Sequence, residues 1–183
     1  MINTMTKFEF TIMSIVFGVR DFFLPRVKIL DEAKINPGDT ILDYGCGTGS
    51  YSFIAAERVG DKGMIYALDI LPPAVKKVNG LAGKRRILNI KTINSGCNTG
   101  LEKNTIDTVL FFDTFHMCEN RETILKELHR VFKADGVLYF SDHHMKESEI
   151  ISEITESGLF TLLKKGRKLH AFKKGGIKAA LRT

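Results

Sequence analysis

The stretch Ile41-Leu42-Asp43-Tyr44-Gly45-Cys46-Gly47-Thr48-Gly49-Ser50-Tyr51 restricts this chain more than any other. A short apolar run ends at an acid. Three glycines on alternate positions follow, and then a segment with helical spacing begins. This is the outline of a strand, a tight loop and a helix. Glycines at 45, 47 and 49 admit positive φ angles and let a ligand approach the main chain closely.

The remaining periodicity extends that unit in both directions. Residues 6–17 predict a very apolar helix, and residues 20–33 a second helical segment with Pro25 near its start. Asn36-Pro37-Gly38-Asp39 reads as a turn, and the first strand follows it. Ser50–Val59 has helical spacing and is closed by Gly60-Asp61-Lys62-Gly63. Met64–Asp69 is a second apolar run. Pro72 and Pro73 sit where a helix can begin, with Ala74, Val75, Val78 and Leu81 on one face. A third strand lies within 87–93 and a fourth at 105–112. Residues 121–132 form an amphipathic helix, Ala134-Asp135-Gly136 a turn, and 137–141 the fifth strand. A helix at 147–157 is stopped by Gly158, and 159–163 with 168–172 predict a terminal hairpin about Gly166. Strand and helix alternate five times, and the strands are continuous apolar runs. That pattern predicts an α/β fold, a mostly parallel sheet with helices on both faces. Ligands of such sheets bind beyond the carboxyl ends of the strands. The polar residues expected there are Asp43, Asp69, those at 95–98, Asp113 to His116, and Asp142 to His144.

At 183 residues one domain is expected, preceded by a helical cap at 1–35 and followed by a basic tail at 174–183, with the domain proper at 36–173. The net charge of +6 is uneven. No acid follows Glu156, whereas eight of the 27 basic residues do, leaving 19 against 21 acids in the body. A basic terminus can touch nucleic acid. No aromatic side chains are interleaved with the last lysines to stack on bases, so a solvated tail is the favoured reading. The apolar residues from Phe8 to Leu24 are interrupted by Glu9, Arg20 and Asp21, short of the roughly 18 uninterrupted apolar residues of a spanning helix. They also lack the basic flank and cleavage site of a signal peptide. Cys46, Cys97 and Cys118 are scattered, with no CxxC pair, which fits neither a zinc site nor a disulfide framework and suits a reducing cytoplasm.

The glycine loop departs from the dinucleotide pattern G-x-G-x-x-G, because Ser50 stands at the third glycine position. It reads instead Asp-x-Gly-x-Gly-x-Gly. A carboxylate repels a pyrophosphate but attracts an ammonium or sulfonium group. Asp69, at the next strand end, can accept both hydroxyls of a ribose. On these residues, together with Tyr66-Ala67-Leu68-Asp69-Ile70, Ile106-Asp107-Thr108-Val109-Leu110 and Leu128-His129-Arg130-Val131-Phe132-Lys133-Ala134-Asp135-Gly136, the chain resembles class I S-adenosylmethionine-dependent methyltransferases of the small type 11 or UbiE-like branch. The resemblance spans about 36–173. It implies a Rossmann-like, seven-stranded sheet whose C-terminal hairpin inserts one antiparallel strand. It also implies S-adenosylmethionine as cofactor. The donor site would comprise Asp43, Tyr44, Gly45, Cys46, Gly47 and Gly49 around the loop, Asp69 on the ribose, Ile70 on adenine, and Asp113 at the fourth strand end. The family usually places an acid after the third strand to meet the adenine amino group. Here the segment is Ser95-Gly96-Cys97-Asn98, so Cys97, Asn98 or backbone groups take that place.

Methyl transfer needs a base only where the acceptor must lose a proton. His116 is the best-placed candidate, able to act near neutral pH or to serve as a hydrogen-bonded structural residue. In Asp142-His143-His144, His143 is a second candidate; the cluster could also bind substrate, and metal binding is disfavoured because a third ligand must come from elsewhere. The apolar residues 8–23 could cover a small apolar acceptor, with Arg20 or Arg26 reaching the cofactor carboxylate, or could complete the core or a homodimer interface. The leading expectation is a methyltransferase for a small, apolar molecule. A regulatory protein that binds S-adenosylmethionine without turnover and a nucleic-acid methyltransferase are the alternatives.

Overall fold

The computed structural model describes residues 27–176. The apolar segment at 8–23, Arg20, Arg26, the dimer surface expected there and most of the basic tail lie outside the described residues. A short helix Val27–Leu30 (α1) leads to strand Thr40–Tyr44 (β1), helix Ser50–Val59 (α2), strand Met64–Asp69 (β2), helix Pro72–Arg85 (α3) and strand Ile90–Asn94 (β3). Strand Ile106–Phe112 (β4), a 3-10 turn Phe115–Met117, helix Arg121–Val131 (α4) and strand Phe132–Ser141 (β5) come next. Helix Glu147–Thr155 (α5) and the hairpin Phe160–Lys165 (β6) and His170–Lys174 (β7) complete the chain.

All seven strands join one sheet in the order β3-β2-β1-β4-β5-β7-β6. The first five are mutually parallel, while β7 runs antiparallel between β5 and β6. The expected architecture is therefore the observed one. Alternate residues of the strands feed two cores. Ile41, Leu110, Phe112 and Tyr139 pack with Leu30, Phe53, Ala56, Val59, Val78 and Ala82 from α1, α2 and α3. Leu42, Val109, Phe111 and Phe140 pack on the other face with Ile124, Leu128 and Val131 of α4 and Ile150 and Ile154 of α5. Both faces of the inner strands β1, β2 and β4 are largely buried, which is why those strands are mostly apolar.

Two elements differ from the sequence pattern. No helix lies between β3 and β4; the connection at 95–105 crosses as a loop, pinned where Glu127 Oε1 accepts from Thr99 N at 2.9 Å and from Thr99 Oγ1 at 2.6 Å. Strand β5 begins at Phe132, directly after α4, although Ala134-Asp135-Gly136 has the composition of a turn. The register with β4 shifts between Ile106 and Thr108, so the polar residues bulge from the ladder instead of breaking it. A Cβ at Gly136 would lie 2.1 Å from the Phe132 ring, so only glycine permits the bulge to close over that side chain. Strand β7 continues through Lys174, whose Nζ donates to the Phe132 carbonyl at 2.8 Å, so the first residue of the expected tail belongs to the sheet.

Phe111 is fully buried, with ring centroids 4.6 Å from Tyr44, 5.4 Å from Phe115 and 5.4 Å from Phe140. Phe111→Ala is expected to cost about 3–5 kcal/mol of unfolding free energy, the range for deleting a buried aromatic ring. Urea denaturation measures it, and a loss under about 1 kcal/mol would mean that this face of the core is not close-packed.

Candidate functional site

The parallel strands deliver their polar ends to one edge of the sheet. Gly45, Gly47 and Gly49 have φ of 78°, 52° and 84°, the left-handed region that the sequence reserved for glycine. Gly45 N–H and Cys46 N–H both donate to the Leu68 carbonyl, at 2.8 and 2.9 Å, which folds the loop back over the end of β2. A Cβ at Gly45 would strike the Thr114 side chain, and one at Gly49 would come within 2.9 Å of Phe53 and Val78. Gly47 has nothing within 4 Å of such a position, so the middle of the loop is open.

Asp69 is 8% exposed and ties the loop to its own strand end. Its Oδ2 accepts from Gly47 N–H and its Oδ1 from Leu71 N–H, both at 2.9 Å. Burial pushes the Asp69 carboxyl upward, and the hydrogen bonds from Leu71 and Gly47 oppose that rise only in part. Asn94, one strand over and in register with Asp69, donates from Nδ2 to the carbonyls of Asp69 and Ile70 at 2.9 and 3.0 Å. It clamps the turn that presents Ile70, an apolar side chain left 54% exposed. Asn94 was missed from the sequence, although its place at the end of β3 marked it.

Other loop residues face inward. Asp43 is 3% exposed and accepts from Ser52 Oγ at 2.5 Å. Tyr44 stacks on Phe111 in the core, and its hydroxyl donates to the Gly96 carbonyl, tying the loop after β3 to β1. Burial drives both the Tyr44 hydroxyl and the Cys46 thiol well above their ordinary pKa, so both stay protonated. Cys97 is half-buried against the second core. Asn98 is exposed, and its Oδ1 accepts from Gly100 N at 2.9 Å.

The histidines gather at the ends of β4 and β5. Asp142, almost fully buried, accepts from His116 N at 3.0 Å and His144 N at 3.1 Å. His116 Nδ1 lies 2.9 Å from Oδ2 and 3.0 Å from Oδ1 of the same carboxylate. Burial raises the Asp142 pKa; the bonds from His116 and His144 outweigh it and hold the carboxyl below its usual range. With Nδ1–H donated to that carboxylate, Nε2 is the ring nitrogen left to accept a proton. The His144 ring stacks 4.2 Å from His116 and 3.9 Å from His143. His143 Nδ1 meets Asp113 Oδ1 at 2.7 Å, on a residue whose own φ is 51°. Sequence spacing brought none of these acid–histidine pairs together, because 26 and 30 residues separate the partners. Among the described residues, no group of three His, Cys, Asp or Glu side chains is arranged to hold a metal, and no helix is long and apolar enough to cross a membrane.

The family profile described as "Methyltransferase domain" matches residues 35–175. An aklanonic acid methyltransferase of Streptomyces sp. strain C5 is 32% identical over 92 residues, 49% of this chain and 42% of that protein. A demethylmenaquinone methyltransferase of Geobacillus stearothermophilus is 28% identical over 126 residues, 68% of this chain and 54% of that protein. The chain thus spans about half the length of the curated relatives it matches. In fold it superposes on a SAM-dependent methyltransferase from Aquifex aeolicus with a TM-score of 0.72 and 24% identity, covering 82% of this chain and 88% of that one. It also superposes on the cyclase SpnF with a TM-score of 0.65 and 16% identity, covering 74% of this chain and 56% of that one. The fold alone therefore leaves the reaction open.

The depressed pKa of Asp142 has a defined sign in stability. The unfolded carboxyl, at its ordinary 3.8, binds a proton more readily than the folded one. Its contribution is full above that value and is lost as the pH falls through the lower, folded pKa. Asp142→Asn is expected to flatten the acid limb of stability, read from urea midpoints between about pH 2 and pH 5. A limb unchanged by the substitution would remove Asp142 as its source.

Proposed function

Because the chain belongs to the methyltransferase-domain family, we propose that it transfers a methyl group from S-adenosylmethionine to a small acceptor with an apolar body. The observation that carries this reading is the 2.9 Å bond between Gly47 N–H and the Asp69 carboxylate. It sets an open, positive-φ loop beside a buried acid, next to the exposed Ile70. These residues fit a nucleoside. The Asp69 carboxylate has acceptor capacity beyond its backbone bonds for a ribose hydroxyl, and Ile70 offers an apolar wall to a base. Asn98 Oδ1 accepts from Gly100 and keeps a second lone pair for an exocyclic amino group, with Cys97 alongside. The buried charge of Asp43 beneath the loop favours a cation above it.

Bound S-adenosylmethionine supplies an electrophilic methyl on a sulfonium. The work left to the protein is to orient donor and acceptor and to manage protons. His116 is the proposed base: Nε2 takes the acceptor's proton while Asp142 fixes the tautomer and stabilises the imidazolium. His143, held by Asp113 and more exposed, is the second candidate. The three free thiols fit a reducing cytoplasm.

Calorimetry with S-adenosylmethionine, S-adenosylhomocysteine and NAD tests the reading. Heat with NAD and silence with both S-adenosyl compounds would overturn it. Asp69→Ala is expected to weaken S-adenosylhomocysteine binding about tenfold to hundredfold, the value of a hydrogen bond to a charged group. An unchanged affinity removes the ribose assignment. With an acceptor found by incubating metabolite extracts with labelled donor, His116→Gln is expected to lower kcat by roughly 10²-fold or more, with donor affinity unchanged. Turnover at the normal rate would leave His116 a structural residue.

A further inference from the structure

We propose that the cavity between β5, α5 and the β6–β7 turn is a subsite for an anionic group of the acceptor, so that the methylated molecule joins an apolar body to a carboxylate or similar small anion. The inference rests on the methyl-transfer reading above. The antiparallel insertion of β7 is what creates the site. Phe140 pairs with His170, which brings the turn after β6 to the same sheet edge as Asp142 and His143. The space is an open cleft of about 190 Å³, smaller than the roughly 300 Å³ at which whole-ligand pockets begin, and suited to one end of a molecule. Asp142 and His143 form one wall of it, and Arg167, Lys168 and His170 another. Asp142 is shared with the proposed base, so a group seated here lies one side chain from His116.

The charges facing this space favour an anion. Two acids border it, and both are engaged. Asp142 carries the bonds from His116 and His144. Glu147 Oε1 pairs with Lys165 Nζ at 2.6 Å, and its Oε2 lies 3.8 Å from His170 Nε2. Glu32, the acid whose charge reaches Arg167, accepts the backbone N–H groups of Lys168 and Leu169 at 2.9 and 3.4 Å. Arg167 and Lys168 are exposed, and neither has an ion pair among the described residues. His170, which becomes a further cation when protonated, completes that wall. Met145 and Ile150 give the cavity an apolar side for the adjoining carbon skeleton.

Benzoate and benzamide, equal in shape and different in charge, are the probes. Their binding to the full chain saturated with S-adenosylhomocysteine is followed by amide chemical shifts. Benzoate is expected to bind roughly tenfold tighter, moving resonances at 141–150 and 166–170. The double variant Arg167→Gln/Lys168→Gln is expected to erase that preference and leave S-adenosylhomocysteine affinity unchanged, whereas Lys76→Gln/Lys77→Gln on α3 is expected to preserve it. Equal binding of the two probes, binding of neither, or a preference that survives the double substitution overturns the subsite. Failure of S-adenosylhomocysteine to bind at all sinks the methyl-transfer reading instead, which keeps the two outcomes apart.

Discussion

The bond from Gly47 N–H to the buried Asp69 carboxylate is the contact on which this molecule's organisation turns. In a parallel sheet, consecutive strands end side by side, and each ends in a loop whose N–H groups have no ladder partner. A carboxylate at a strand end solves that problem for its neighbour. Asp69 does so for the loop after β1 and for its own turn. Asp142 does the same for the turn after β4 and for the one after β5. The charge of each acid is costly to bury, and the hydrogen bonds it gathers are what offset that cost. The same edge therefore holds loops tied down by buried carboxylates.

The two acids differ in a way that matters. Asp69 has its pKa raised, because desolvation exceeds what its hydrogen bonds return. Asp142 has its pKa lowered, because an imidazole and two backbone donors converge on it. The first is under-satisfied in the free protein and gains from further donors. The second is met by backbone donors and by the histidine it holds. Two unlike environments thus arise from one device, a buried strand-end carboxylate, supplied with different numbers of partners.

Much of this was legible in the residues. Continuous apolar runs gave the strands, the three glycines gave the loop, and Asp69 stood at a strand end that periodicity alone could locate. The inner strands β1, β2 and β4 were the easiest, because burial on both faces leaves no ambiguity of pattern. Ala134-Asp135-Gly136 misled, since its polar composition serves a bulge and not a turn, a distinction set by the Phe132 ring beneath Gly136. The loop after β3 also lacks the helix that an alternating pattern implies; side-chain anchoring by Glu127 replaces it. The acid–histidine pairs were invisible for a simpler reason. Their members sit on adjacent strands but far apart in the chain, so the pairing belongs to the register of β4 against β5, where Phe112 meets Ser141. Tyr44 read as a pocket residue by its place in the motif, whereas side-chain alternation along β1 turns it into the core.

The interleaving of β7 between β5 and β6 also bears on how the chain is made. During synthesis β6 emerges before β7 and has no place beside β5 until the final strand arrives. For that interval β5 is an open edge of Leu138, Tyr139 and Phe140, with unpaired backbone groups along its free side. Only β7 can cap that edge, and β6 then pairs on its far side. A chain cut between the end of β5 and His170 would keep the glycine loop and its neighbouring strands yet carry a sticky, uncapped sheet, so solubility would be the first property lost.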